Sequence, residues 1–332
     1  MSTKKRVLEL LENNRGQNIS GEYIANQLNI TRNSVWKAVK ELEKDGHKIK
    51  AVTNRGYCLC DCNDILSVEG MLPFLRDKMA ANKIHIYACL ESTNKTAKEM
   101  AISGAEHGTI IIADCQTAGK GRYNRNFFSP PGHGIYMSFI LRPSQMYQQG
   151  NSTLITSYAA VSVCEAIEAV TDKTPRIKWV NDIFLNGKKI CGILSEAVTD
   201  FESGNIQWVV VGIGINFTMP EGGFPDDIKD KAGVVFFNDK PITRNRLIVE
   251  IANRMLDFGN QTDSKFILAN YKKRLFMLGK KILVTGINEP FEAVAIDIDD
   301  AGHLIVKMDT GKIISLAAGE VSLCMQQGLN PA

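Results

Sequence analysis

Apolar side chains recur at helical spacing in three short stretches at the start of the chain. Residues 4–13 place Val7, Leu8, Leu10 and Leu11 on one broad face. Ser20 is positioned to cap a second helix, residues 21–28, with Tyr23, Ile24 and Leu28 turned inward. Asn29 and Ile30 make a tight turn. Thr31 then caps a third helix, residues 32–44, whose Val35, Val39 and Leu42 form a packing stripe. Past Gly46 come two strand-like stretches, 47–53 and 56–60, joined at Asn54-Arg55 as a wing with a basic tip. Helix, helix, turn, helix and wing within about 60 residues is the order of a winged helix-turn-helix. Arg32, Asn33, Ser34, Lys37 and Lys40 on the third helix, with Arg55 in the wing, are the candidate DNA contacts, because Arg and Asn read base edges and Lys neutralises phosphate. The same pattern also suits a three-helix bundle that binds protein. Trp36, on or near the exposed face, fits either a DNA contact or partial burial.

Residues 61–82 change character, include Pro73, and read as a linker with the first helix of a second domain. Strand patterns follow at 84–90, 109–115, 135–141, 176–179, 189–197 and 208–215, around a long amphipathic helix at 153–170. Strands and helices mixed in this way predict an α/β domain built on a mixed sheet. From Gly279 only short strands remain, at 280–285, 291–298, 303–308 and 312–316, with turns at 299–302 and 309–311. A tail of that kind is expected to close as a small barrel.

Composition changes this picture little. Hydrophobic residues make up 44% and charged residues 23%, the balance of a soluble globular protein. The apolar helix at 154–170 is interrupted by Glu165 and Glu168, so it reads as a core helix, and no membrane partner is expected. The basic start leads into Glu9 and Glu12 rather than an apolar run, so no signal peptide is visible and a cytoplasmic location is expected. The net charge of +3 is carried by the first 65 residues, which points to a nucleic-acid module there. Eight cysteines in such a chain are expected as reduced thiols. Cys58, Cys60 and Cys62 lack the paired spacing of a zinc site.

Four segments carry the candidate chemistry. They are Glu91-Ser92-Thr93-Asn94, where a strand gives way to a helix; Gln116-Thr117-Ala118-Gly119-Lys120-Gly121-Arg122, running on to Phe127; Lys178-Trp179-Val180-Asn181-Asp182, with Lys189 after it; and Gly212-Ile213-Gly214-Ile215-Asn216. Each has a bland reading taken alone. Ser92 to Asn94 suit an N-cap, Asn181-Asp182 a turn, and the glycines at 212 and 214 close packing of helices on the sheet. The loop at 119–122 has neither the P-loop order nor that of a dinucleotide-binding fold.

In combination, order and spacing, the four segments resemble the biotin protein ligases of the bacterial bifunctional type, which also repress the biotin operon. With the head and tail included, the resemblance covers nearly the whole chain. It implies a winged helix-turn-helix at 1–64, an α/β catalytic domain of the class II synthetase-like biotin ligase fold at 65–276, and an SH3-like β-barrel at 277–332. It also implies a two-step reaction in which biotin and ATP form biotinyl-5′-adenylate and a lysine of the biotin carboxyl carrier protein then takes the biotinyl group. A carboxylate attacking a phosphate brings two anions together, so the site needs fixed cations. The resemblance gives that work to Lys120, Arg122, Lys178 and Lys189, with Lys189 neutralising the carboxylate and phosphate. Ser92, Thr93, Asn94 and Gln116 hold the ureido ring, and Gly121 joins Lys120, Arg122 and Lys189 around biotin. Gly119, Phe127, Asn181 and Asn216 fall to the adenylate, and Asp182 to Mg²⁺. Glycines at 119 and 121, with Pro130, Pro131 and Gly132 beyond, imply a mobile loop that orders over ligand and alters a dimer surface. The adenylate then acts as corepressor for a homodimer on palindromic operator DNA.

Three positions depart from the pattern. Lys120 stands where many relatives have Arg, Val180 replaces a proline common before Asn-Asp, and Phe127 replaces a tryptophan common after the loop. Other readings are a pure regulator that only senses a small molecule, a ligase whose N-terminal domain does not regulate transcription, and a lipoate-type ligase. Four cations around one loop weigh against the first of these.

Overall fold

A computed structural model describes residues 1–142, 152–199, 206–237, 240–257, 264–287 and 289–324. The head is built from α1 (Thr3–Asn13), α2 (Gly21–Leu28) and α3 (Arg32–Lys44), followed by the hairpin β1 (Ile49–Val52) and β2 (Gly56–Leu59). The Ser20 hydroxyl accepts from Tyr23 N at 3.0 Å and the Thr31 hydroxyl from Ser34 N at 3.1 Å, each satisfying a helix-start donor. Asn29 ends α2 in the left-handed region at φ 52°. Gly56 is forced by space as well as by its φ of 93°, because a Cβ there would lie 2.1 Å from Ile19 O. Val7, Leu11, Ile24, Val35, Val39 and Leu42 form a core that belongs to the head alone. Tyr23, expected inward, is 45% exposed, because α2 is too short to bury more than the Ile24 and Ala25 side of its surface.

The short helix α4 (Val68–Met71) and a 3₁₀ turn (Lys78–Lys83) lead into the body. Its sheet comprises β3 (Ile84–Leu90), β4 (Thr109–Gln116), β5 (Gly134–Leu141), β6 (Arg176–Lys178), β7 (Asp182–Leu185), β8 (Lys188–Thr199) and β9 (Ile206–Asn216), in the order β3-β4-β5-β9-β8-β7-β6. The β3–β4 pair is parallel and the remaining neighbours are antiparallel. Every residue of β5 is buried, which requires cover on both faces. One cover is α5 (Thr93–Ile102), whose Ala97 and Ala101 sit on Ile111, Ile140 and Val210. The other is α6 (Ser152–Val170) with α7 (Arg244–Met255) and α8 (Ser264–Arg274), two helices not anticipated from the sequence. By length and composition the 153–170 window of α6 is apolar enough to cross a membrane, but 72% of it is buried inside the protein.

The tail strands β10 (Lys281–Thr285), β11 (Phe291–Ile298), β12 (Leu304–Met308), β13 (Ile313–Leu316) and β14 (Glu320–Leu323) form a five-stranded antiparallel sheet, ordered β13-β12-β11-β10-β14. Its apolar face, including Ile282, Val284, Ala293 and Val306, is continuous with the core of the body. Trp179, buried in the body, donates its indole N–H to the Gly302 carbonyl at 3.1 Å.

The expectation for the cysteines is overturned. Cys89 and Cys115 are joined as a disulfide, because the parallel register sets them directly opposite each other on β3 and β4 with Cα atoms 4.7 Å apart. The other six cysteines are free thiols.

Candidate active site

The four segments converge on one cavity of about 770 Å³ at the ends of β3, β4, β7, β8 and β9. Ser92, Thr93 and Asn94 enter it from the start of α5 and are buried there. Ser92 is the N-cap residue yet makes no side-chain cap bond, so its hydroxyl is not spent on the helix. Thr93 N donates to Gln116 Oε1 at 2.8 Å, and Gln116 Nε2 donates to Ser129 Oγ at 3.0 Å. Asn94 is fixed from both sides. Its Oδ1 accepts from Ser138 Oγ at 2.7 Å and its Nδ2 donates to Glu196 Oε2 at 2.7 Å. This end of the cavity is a locked, buried polar wall, suited to a small neutral ring with donors and acceptors.

The opposite end is cationic. Lys120, Arg122, Lys178 and Lys189 all line it. Lys189 Nζ pairs with Asp182 Oδ1 at 2.7 Å. Burial holds the Lys178 amine below its ordinary pKa, with Asp182 opposing that shift and Lys189 adding to it. Asn181 donates to the Ile193 carbonyl at 2.8 Å and lies 3.4 Å from Arg122 Nη1 as an acceptor. The floor is almost bare backbone. A Cβ on Gly212 would lie 2.1 Å from Asn94 Oδ1, and one on Gly214 would lie 2.6 Å from the Phe127 ring.

The glycine-basic loop folds back on itself. Phe127 N donates to Gly119 O, and Gly121 N to Arg125 O, both at 2.8 Å, with Tyr123 and Asn124 left-handed between them. Gly119 itself stays outside the cavity lining, buried against Phe127 O and Ser129. Gly121, Phe127, Asn181 and Asn216 line the cavity as expected. Asp182 opens β7, and the chain reverses over Trp179-Val180-Asn181, so of the expected Asn181-Asp182 turn only Asn181 lies in the reversal.

Further contributors lie outside the residues singled out in the sequence. Ser138 is wholly buried and orients Asn94. Arg125 pairs with Glu320 at 2.8 Å, and Arg122 donates to Gly319 O at 3.1 Å, so the tail grips the loop. Asp227 and Asp230, ahead of Gly233, form part of the rim. Only Ser138 carried a local signal, as a lone polar residue in an apolar strand.

In the head, Arg32, Asn33, Lys37, Lys40 and Arg55 are exposed and Ser34 is half-buried. Lys40 already pairs with Glu43 at 2.6 Å. Trp36 is 50% exposed on the same face.

The profile of the biotin/lipoate A/B protein ligase family matches residues 86–216. An HTH domain matches 3–58, and the biotin protein ligase C-terminal domain matches 277–324. The chain is similar to the bifunctional ligase/repressor BirA of Bacillus spizizenii, with 34% identity over 315 residues, spanning 93% of this chain and 95% of that one. Its Escherichia coli counterpart is 25% identical over 326 residues, 96% of each chain. Among solved structures, a biotin protein ligase from Aquifex aeolicus in complex with biotin and ATP matches with a TM-score of 0.60 at 26% identity, covering 73% of this chain and 98% of that one. A helix-turn-helix head, a locked polar wall facing a cationic loop, and relatedness along nearly the full length lead to one assignment: the chain belongs to the biotin protein ligases of the bifunctional ligase/repressor type.

Proposed function

We propose that the chain joins biotin to ATP as biotinyl-5′-adenylate, releasing pyrophosphate, and passes the biotinyl group to a lysine amine on a biotin carboxyl carrier protein. The observation that carries this reading is the two-ended cavity, neutral and hydrogen-bonding at Ser92, Thr93 and Gln116, cationic at Lys120, Arg122, Lys178 and Lys189. The ureido ring takes the first end and the carboxylate meets the α-phosphate at the second. Lys189 and Lys178 offset the charge that builds on the attacking carboxylate and the phosphate, and Lys120 and Arg122 cover the adenylate. Gly121, Phe127, Asn181 and Asn216 bound the nucleotide, with Gly119 supporting the loop behind them. In the second step the acceptor amine attacks the acyl carbon, AMP leaves, and no bond to the enzyme is formed.

Mg²⁺ enters as Mg-ATP. Among the described residues no group of three or more His, Cys, Asp or Glu side chains gathers to hold a metal. Asp182, paired with Lys189 among the cations, is the carboxylate that would contact an ion carried on the substrate phosphates.

The adenylate-loaded chain forms a homodimer that reads a palindromic operator through α3 and the wing. A carrier domain incubated with fresh enzyme, labelled biotin and Mg-ATP tests the chemistry. Label on the carrier with biotin but not with lipoate supports the reading, and label with lipoate alone sinks it.

A further inference from the structure

The segment between head and body is held from both sides. From the head, Arg15 Nη1 donates to the carbonyls of Cys60 at 3.2 Å and Asn63 at 2.8 Å, while Glu12 anchors the same guanidinium at 2.6 Å. From the body, two consecutive residues at the start of α7 do the equivalent work. Asn245 donates to Ile65 O at 2.9 Å. Arg244, only 3% exposed, meets Asp64 three times: its backbone N on Oδ1 at 2.7 Å, its Nη2 on the carbonyl at 2.8 Å and its Nε on Oδ2 at 3.3 Å.

The remaining nitrogen of that guanidinium faces the other way. Arg244 Nη1 donates to Asp114 Oδ1 at 2.6 Å and to Gly134 O at 3.2 Å. Asp114 lies two residues before Gln116, and its Oδ1 also accepts from Gly132 N at 3.3 Å. One buried fork therefore touches the interdomain segment and both ends of the stretch that carries the ligand loop. Lysine could not replace it, having a single point of charge where arginine has a planar set of five donors.

We infer that Arg244 is a positioning residue for repression, fixing the DNA-binding head on a rigid strut and registering that strut against the ligand loop. The inference rests on the repressor half of the function proposed above. Two heads in a dimer must meet half-sites a whole number of helical turns apart, about 34–36 Å per turn, and a stiff connection enforces that distance where a loose tether would not.

The test uses the full-length chain with Arg244→Lys and Asp64→Asn. The probes are a palindromic duplex selected on the unaltered chain with biotin and Mg-ATP, and the same duplex with about half a helical turn inserted between its half-sites. The unaltered chain is expected to bind the selected duplex far more tightly with both ligands present and to reject the inserted one. Both variants are expected to release pyrophosphate within about threefold of the unaltered rate, to lose about tenfold in ligand-dependent affinity, and to discriminate less between the two spacings. Variants that form adenylate and keep both the ligand-dependent gain and the spacing preference overturn the inference. An unaltered chain with no ligand-dependent DNA binding overturns instead the repressor reading beneath it.

Discussion

Lys189 reaches Asp182 across the β7–β8 hairpin although the two are not paired in its register. Asp182 lies opposite Gly192, and a bulge at Ile183/Phe184 sets Lys189 against Phe184. The amine folds back close over Gly192, where a Cβ would lie 3.3 Å from Lys189 Nζ and would make it shift slightly. The cation is thus stored on a carboxylate, beside the space a phosphate would take. Lys189→Ala should slow biotin-dependent ATP–pyrophosphate exchange by about 10²–10³-fold and leave the thermal midpoint nearly unchanged. Near-normal exchange would remove Lys189 from the chemistry.

Lys178 makes the rate sensitive to alkali. Burial lowers its folded pKa beneath the 10.5 of a free lysine, so its charge is lost earlier as pH rises. Adenylate formation should fall through that lowered value, and Lys178→Arg should abolish this limb while keeping activity. Stability should move in the opposite direction. Between the folded and unfolded values the unfolded chain binds more protons, so this group's contribution to stability rises with pH. A pH–rate profile identical in Lys178→Arg and the unaltered chain would refute the assignment.

The bare floor predicts a graded series. Gly214→Ala and Gly212→Ala each drive a methyl into a fixed neighbour, Phe127 or Asn94, and overpacking of that kind costs about 1–3 kcal/mol. The loss should appear mainly as a raised KM, for biotin in Gly212→Ala and for ATP in Gly214→Ala. Gly192→Ala meets only the flexible end of Lys189 and should be milder. Equal effects at all three positions would contradict the geometry.

The Cys89–Cys115 bridge closes a separation of 26 residues, for which the chain-entropy estimate is about 3–4 kcal/mol of stabilisation. It also ties β3 and β4 immediately before Ser92 and Gln116. A dithiol reductant should expose two further thiols, lower the melting temperature and raise the KM for biotin. Cys89→Ser/Cys115→Ser should match the reduced chain in melting temperature and KM, and should gain no thiols on reduction. Eight titratable thiols in the untreated, unfolded protein would show that the bridge does not form.

The parts legible in the sequence are those whose cause is local. Ser20 and Thr31 announce their helices because a cap acts within one turn, and Gly119 to Arg122 announce the loop because its chemistry is contiguous. The spacing of Leu247, Ile251 and Met255 behind the Thr243 cap is a local signal for α7, set among strand-like stretches that mask it. α8 offered little, with basic residues filling its last turn. The disulfide depends on the register of two parallel strands, and Glu320 meets Arg125 from 195 residues away. No window of sequence contains either cause.

The continuous core beneath β10–β14 bears on how this molecule comes apart. Three family profiles match it, yet its buried side chains sort into a self-contained head and a body inseparable from its tail. Removing residues 1–63 cuts between cores, whereas removing 277–332 strips one face from the other and uncovers Trp179. Heat should therefore melt the chain as two cooperative units, and an insertion or split site placed near residue 277 would fail where one placed near residue 61 survives.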